Sequence, residues 1–272
     1  MSAPLRLAVA QASAVSGDVT GNAACIGNLV EVAASAGARV VVTPELFLQG
    51  YDLQALAGDE GLDLIDADDV RLDPIREACR RTSTVAVTSA SMRTYGGRTI
   101  AIVVVAGDGR AVHAYDKQHL PGDEAEIFGA GEHGALIVVD GWSLGLGVCY
   151  DGCFPEHARA CAEAGAGGYL VPAAYVVGAE HRRDLYYPAR ALDNGMYVAM
   201  AGLVGRCGEG DFGGGSAVYD PQGRRVAGVD DGVEGIAFAD LDAAGVADTR
   251  DRHAMGRDRR SDLGPVTPLD VA

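Results

Sequence analysis

The chain has 272 residues, with 22 Lys+Arg against 38 Asp+Glu and a net charge of −16. Hydrophobic residues make up 48% and charged residues 22%, enough apolar side chain for a packed core and too much for a disordered chain. The cations never form a run and the net charge repels phosphate, which excludes nucleic acid and anionic membrane surfaces as partners.

No apolar stretch reaches the roughly 18 residues of a membrane helix, and Leu7 to Ala10 is too short for a secretory core segment. A cytoplasmic protein with reduced thiols is expected, so Cys25, Cys79, Cys149, Cys153, Cys161 and Cys207 are read as free.

Strands and helices alternate along the chain. Leu5–Gln11 reads as a strand and Gly21–Ala36 as a helix, with Ile26, Leu29, Val30 and Ala33 on one side. Arg39–Thr43 is a β-branched strand stopped by Pro44, and Asp69–Arg81 is a helix whose start Pro74 limits. Thr84–Ser91, Thr99–Ala106 and Ala111–Tyr115 read as strands, the last two joined by the turn Gly107-Asp108-Gly109.

In the second half, Ala135–Val139 and Leu144–Val148 are strands, Glu156–Ala164 is a helix, and Tyr169–Val171 is a strand ended by Pro172. Glu180–Asn194 is a helix interrupted or shifted by Pro188, and Met196–Leu203 is a strand. Ser216–Tyr219 and Arg225–Val229 flank the turn Asp220-Pro221-Gln222-Gly223, and Gly235–Asp240 is a last strand. No linker or low-complexity segment appears. One α/β domain over residues 1–272 is expected, with mixed sheets, a core over about 5–240 and an irregular tail over 241–272.

Three chemically useful residues stand just past strands: Glu45, Lys117 and Cys149. Each has an ordinary structural explanation alone: a turn cap, a solvated cation, a small core residue. Together they supply an acid/base, a cation and a nucleophile, the set that acyl transfer requires. Cys149, Cys153, His157 and Cys161 recur every four residues and imitate a zinc set, but Gly152 and Pro155 break the helix this would need, so no metal is expected. The G-x-G-x-x-G at Gly208–Gly213 leads into a strand, not a helix, and is rejected as a dinucleotide site.

The sequence resembles the nitrilase superfamily of carbon–nitrogen hydrolases. The residues that carry the likeness are Pro44-Glu45-Leu46-Phe47 with Gly50-Tyr51, Asp116-Lys117-Gln118-His119-Leu120, and Gly147-Val148-Cys149-Tyr150-Asp151 with Phe154-Pro155-Glu156. Arg190-Ala191-Leu192-Asp193-Asn194, Gly213-Gly214-Gly215-Ser216, Asp220-Pro221-Gln222-Gly223 and Asp258-Arg259-Arg260-Ser261-Asp262-Leu263 continue it in the same order.

The resemblance implies a four-layer α-β-β-α sandwich and a Glu45, Lys117, Cys149 catalytic set. It also implies a second glutamate, for which Glu124 fits best, ahead of Glu126. Cys149 would form a thioester with a small amide, Glu45 would move the protons, and Lys117 with the Tyr150 N–H would hold the oxyanion. No metal or organic cofactor is called for. Tyr51, Phe128, Tyr150 and Tyr175 are candidate pocket walls.

Where several relatives carry a carboxylate-gripping arginine after the cysteine motif, this chain has Gly152 and Cys153. A neutral or cationic amide is therefore expected, with Arg182 or Arg183 the available compensating charges. N-carbamoyl amine or nitrile hydrolysis uses the same residues, and a non-catalytic oligomeric scaffold is the alternative of another class. A homodimer or larger homo-oligomer is implied, with 158–165 and 185–194 as candidate surfaces.

Overall fold

The computed structural model describes residues 3–260 and 262–270. Ser261 of the closing segment and the first and last two residues of the expected 1–272 domain lie outside the described residues.

The chain runs β1 (Leu5–Gln11), α1 (Val19–Ser35), β2 (Val40–Val42), α2 (Leu53–Gly58), α3 (Asp73–Thr82), β3 (Val85–Thr94), β4 (Gly97–Val105), β5 (Ala111–Asp116) and α4 (Gly122–Ala125). It continues with β6 (Leu136–Val139), β7 (Trp142–Leu146), a 3-10 turn (Cys149–Cys153), α5 (Pro155–Glu163), β8 (Gly168–Ala173), α6 (Glu180–Asn194) and β9 (Tyr197–Gly202). Then come β10 (Val204–Cys207), β11 (Gly210–Gly213), β12 (Ala217–Tyr219), β13 (Arg225–Gly228), β14 (Gly235–Leu241), α7 (Ala243–Arg252) and α8 (Met255–Asp258).

Two six-stranded mixed sheets form, in the orders β14-β1-β2-β3-β4-β5 and β13-β12-β9-β8-β7-β6. Each has three parallel strands at its centre, β1-β2-β3 and β7-β8-β9. Those centres are apolar along their length, as in Val40-Val41-Val42 and Gly168–Ala173, because both faces are covered.

The alternation of side chains sets the layers. Leu5, Leu7 and Val9 of β1 join Leu144, Leu146, Leu170 and Ala199 of the other sheet in one buried cluster, while Ala8 and Ala10 meet Ala33 of α1. Ala86, Val103 and Val105 pack on Ile26 and Val30 of α1 and Ile75 of α3. Tyr169, Val198 and Met200 pack on Ala158 of α5 and Tyr187 of α6. The order is helix, sheet, sheet, helix. Gly27 lets α1 lie close to α3, since a Cβ there would stand 2.9 Å from the Pro74 carbonyl oxygen.

Three local readings need correction. Pro172 lies inside β8, not at its end. Register with β7 stops at Leu170, so the N–H that Pro172 lacks has no strand to meet. Helix α6 runs unbroken through Pro188, because Tyr187 and Ala191 bury against the sheet on both sides of it. The tail is not irregular throughout. Asp242 caps α7 by accepting from the N–H groups of Ala244 and Gly245, and Arg250 ties that helix to the carbonyls of Asn194 and Ala166. The rejected glycine motif lies in a hairpin, β10–β11, that joins neither six-stranded sheet and is bridged to Val176 through Phe212, and the chain after it leads into β12, as expected.

Candidate active site

Glu45 follows β2 directly. Its backbone N–H reaches the Ala173 carbonyl of the opposite sheet at 3.4 Å, and its side chain is fully buried. The next residue, Leu46, has φ 47°, a left-handed conformation unusual for a bulky side chain. Lys117 follows β5 and is locked by two backbone bonds, from its N–H to Ile100 and from Gly131 N–H to its carbonyl, both 2.8 Å. It is the only lysine in the chain, and it too is fully buried.

The two meet. Lys117 Nζ donates to Glu45 Oε1 at 2.6 Å and to Glu124 Oε1 and Oε2 at 2.8 and 2.6 Å, which uses all three ammonium hydrogens. Glu124 sits buried in α4, and Glu126 is exposed, so Glu124 is the acid at the lysine.

Cys149 opens the 3-10 turn after β7 with φ 42°, a second left-handed non-glycine residue beside the same centre. Its thiol lies 3.8 Å from the Ala174 carbonyl oxygen. Glu45 Oε2 is buried without a hydrogen-bond partner, and the Cys149 thiol draws the Glu45 pKa down.

The electrostatics follow from burial. Desolvation pushes Glu45 up to about 7, against the pull of the Lys117 ammonium and with help from the Glu124 charge. Burial and then the Glu45 charge hold the Cys149 thiol well above its ordinary value, and Lys117 offsets them only in part. Burial works against the Lys117 ammonium, but the Glu45 and Glu124 charges outweigh it and keep the amine protonated. At neutral pH the resting pair is a neutral thiol beside a carboxylate close to its own midpoint.

A second network, not anticipated from the sequence, holds the turn that bears the thiol. Asp151 is fully buried and accepts from Val148 N–H at 2.9 Å, His119 N–H at 3.0 Å and Tyr115 Oη at 2.7 Å. His119 Nδ1 lies 2.8 Å from the same carboxylate. Burial opposes its charge, yet His119, His157 and the backbone donors hold the acid below the usual carboxylate range.

Tyr115 spends its proton on Asp151, so His157 Nε2, 2.8 Å away, must donate to Tyr115, and His157 Nδ1 then accepts from Tyr169 Oη at 2.8 Å. Burial holds His157 below its ordinary pKa, which suits this neutral tautomer. Both ring nitrogens are thus occupied by tyrosines, and no cluster of three or more metal-ligating side chains occurs among the described residues.

Tyr187 was also missed. Its hydroxyl donates to the Cys149 carbonyl at 3.1 Å, and a Cβ on Gly152 would stand 2.5 Å from its ring.

The other anticipated residues divide. Tyr175 is nearly buried, with its hydroxyl 3.7 Å from Cys153 Sγ. The Tyr150 ring is exposed and packs edge-on to Phe154. Phe128 packs in the core between the sheets under the Arg98 guanidinium. Tyr51 donates its hydroxyl to Glu124 Oε1 at 2.5 Å. Arg183 is no free charge: it is buried, bonded to the Gly214 carbonyl at 2.9 Å, and paired with Asp184 and Asp231.

The family model described as carbon–nitrogen hydrolase matches residues 6–251. The chain belongs to the carbon–nitrogen hydrolase family. Among its curated relatives, the "Hydrolase in pqqF 5'region" of Pseudomonas protegens is 34% identical over 251 residues, covering 89% of this chain and 81% of that one. The omega-amidase YafV of Escherichia coli K12 is 29% identical over 229 residues, covering 82% and 84%.

Among solved structures, a glutamate-to-glutamine variant of the amidase from Nesterenkonia sp. AN1 superposes with a TM-score of 0.80 at 29% identity. It covers 93% of this carbon–nitrogen hydrolase and 99% of that chain, and acrylamide has added to its active-site cysteine. No helix among the described residues is long and apolar enough to cross a membrane.

Proposed function

We propose that this carbon–nitrogen hydrolase is an amidase that converts a small neutral amide to a carboxylic acid and ammonia through a thioester on Cys149. The observation that carries the reading is the convergence of Glu45 on both partners. One carboxylate oxygen is 2.6 Å from Lys117 Nζ, the other is buried without a hydrogen-bond partner, and the Cys149 thiol acts on the same carboxylate.

The thiol's raised pKa argues against a standing thiolate, so proton transfer accompanies attack. As Sγ bonds to the amide carbon, its proton passes to Glu45 Oε2. The new oxyanion takes one Lys117 hydrogen from Glu124 and the backbone N–H of Tyr150, at the start of a helical turn where such groups lack intrahelical partners. Collapse breaks the C–N bond, and Glu45 returns the proton to the departing nitrogen. Water then gives a proton to Glu45 and its oxygen to the thioester carbon. The C–S bond breaks, the proton returns to sulfur, and the acid leaves. Glu124 orients Lys117 and the substrate amide.

Two further points support the reading. The glutamate and cysteine substituted in the Nesterenkonia amidase have the same separation along their chain as Glu45 and Cys149 here, and a variant of that enzyme holds butyramide. Arg183 is spoken for by the Gly214 carbonyl, Asp184 and Asp231, so it is not available to pair with a substrate carboxylate.

An ammonia-release screen over amides, nitriles and N-carbamoyl amines tests the proposal, with Cys149→Ala as control. Turnover of short neutral amides that Cys149→Ala abolishes is expected. Release that persists in Cys149→Ala, or a strong preference for a carboxylate-bearing amide, overturns the reading. We also read the chain as a cytoplasmic homo-oligomer joined through α5 and α6, where Leu185 and Leu192 are exposed. Light scattering on the purified protein checks this, and a monomer at micromolar concentration contradicts it.

A further inference from the structure

The hairpin β10–β11 has no place in either sheet, and Tyr51 does not simply wall a pocket. The two features explain each other. Tyr51 Oη donates to Glu124 Oε1 at 2.5 Å, and the same carboxylate grips Lys117 Nζ through both oxygens, at 2.8 and 2.6 Å. Phe212 of β11 is buried and meets the Tyr51 ring edge-on, with centroids 5.4 Å apart at 62°.

The contact is close on both sides of Tyr51. A Cβ on Gly50 would stand 2.8 Å from Cys207 Sγ of β10, and one on Gly208, in the hairpin turn, would stand 2.5 Å from Asp52 Cγ. Backbone bonds anchor the hairpin nearby, among them those from Val204 N–H to Ala12, from Gly213 N–H to Tyr175 and from Val177 N–H to Asp211, at 3.3, 2.9 and 2.9 Å.

We propose that Tyr51 is a positioning residue, held by Phe212 of the β10–β11 hairpin, whose hydroxyl fixes the Glu124 carboxylate and so determines how Lys117 is shared between Glu124 and Glu45. The proposal rests on the reading of Glu45, Lys117 and Cys149 given above.

The reasoning is a count of donors. A carboxylate with a phenol and an ammonium on one oxygen has part of its charge satisfied by the phenol. Without the hydroxyl, Glu124 draws the ammonium more strongly. Glu45 then loses part of its counter-charge and faces a more negative neighbour, and both effects disfavour its ionised form.

Tyr51→Phe tests this, because it keeps the ring that Phe212 packs against and removes only the hydroxyl. Expected are a fall in kcat of roughly tenfold, the size of one lost hydrogen bond to a charged group, a KM changed much less, and an unchanged melting temperature. The acid limb of kcat/KM should move to higher pH, and the pH dependence of Cys149 alkylation by iodoacetamide should move with it. Phe212→Leu should shift both in the same direction by less.

A Tyr51→Phe enzyme with unaltered kcat and limb overturns the proposal. So does one in which KM alone rises, which would make Tyr51 a substrate contact. Alkylation reads the thiol without any amide substrate, and Cys149→Ala tests the underlying reading separately, so the two failures are distinguishable.

Discussion

Asp151 reaches back across the thiol-bearing residue to accept the Val148 backbone N–H at 2.9 Å, so a buried carboxylate closes the turn on which Cys149 stands. The Tyr187 hydroxyl holds the Cys149 carbonyl at 3.1 Å from the other side. A residue at φ 42° keeps that conformation only where its surroundings over-determine it, and these two bonds do so.

Asp151→Asn keeps the shape of the side chain and removes the charge that His119 and the backbone donors face. Breaking one member of a buried charged network costs about 3 kcal/mol, so urea unfolding should show a loss of that order together with a fall in kcat. The native value of Asp151 is depressed from its ordinary 3.8, so its contribution is present above about pH 4 and is lost as pH falls through the lowered value. The wild type should lose stability on acidification below pH 4 more steeply than the variant. Equal slopes would remove Asp151 from the acid transition.

Glu45 titrates in the opposite sense. Burial raises its pKa to about 7, so ionising it in the native state opposes folding, and stability declines as pH climbs from the ordinary 4.5 through 7. The ionised form is the one that accepts the thiol proton, so kcat/KM should rise with pH over an apparent midpoint close to 7. Glu45→Gln should lose about 10²-fold or more in kcat and should flatten the decline in stability. A rate profile level from pH 5 to 8 would show that this carboxylate is not the proton acceptor.

The thiols should separate under iodoacetamide. Burial pushes Cys79 up to about 12 and Cys161 and Cys207 up to about 11, and all three are enclosed, so they should resist until the chain unfolds. Burial also raises the half-exposed Cys25 and Cys153, and neither has a buried carboxylate to take its proton. Peptide mapping should find Cys149 labelled first, because Glu45 is there to deprotonate it. Uniform labelling would count against the site.

Arg183→Ala should act on stability and not on substrate choice. The guanidinium is buried on the Gly214 carbonyl while Asp184 and Asp231 are half-exposed, so truncation should cost about 1–2 kcal/mol in denaturant unfolding, chiefly the lost bond to the buried carbonyl. The kcat/KM ratio between a carboxylate-bearing amide and its neutral analogue should not change. A marked change in that ratio would give Arg183 a role in recognition.

The residues that meet at the site were legible because each stands at a strand end, where position in the chain nearly determines position in space. Glu45 follows β2, Lys117 follows β5 and Cys149 follows β7 within a few residues. The choice of Glu124 over Glu126 needed only the one-turn helix α4, which buries the first and exposes the second.

The supporting network was not legible. Tyr115 of β5 and His157 of α5 are 42 residues apart, and no local pattern announces such a bond. Helix α7 had one signal, the capping Asp242, but its weak apolar pattern hid it. The β10–β11 hairpin was read as a failed phosphate motif because its glycines outnumber its strand-forming residues. One signal went unused: every cation of the chain but one is arginine. A position that keeps lysine in such a sequence needs the compact, freely rotating ammonium that a guanidinium cannot replace between two carboxylates.

That solitary lysine also determines how the surface can be modified. Lys117 is wholly enclosed, so the folded protein presents no side-chain amine to solvent. Acylating reagents, amine-directed cross-linkers and conjugating enzymes that seek an ε-amino group therefore find no lysine on the native molecule. Were a large conjugating enzyme to reach it, it would do so only through an opening of the core, and the modification would report that opening.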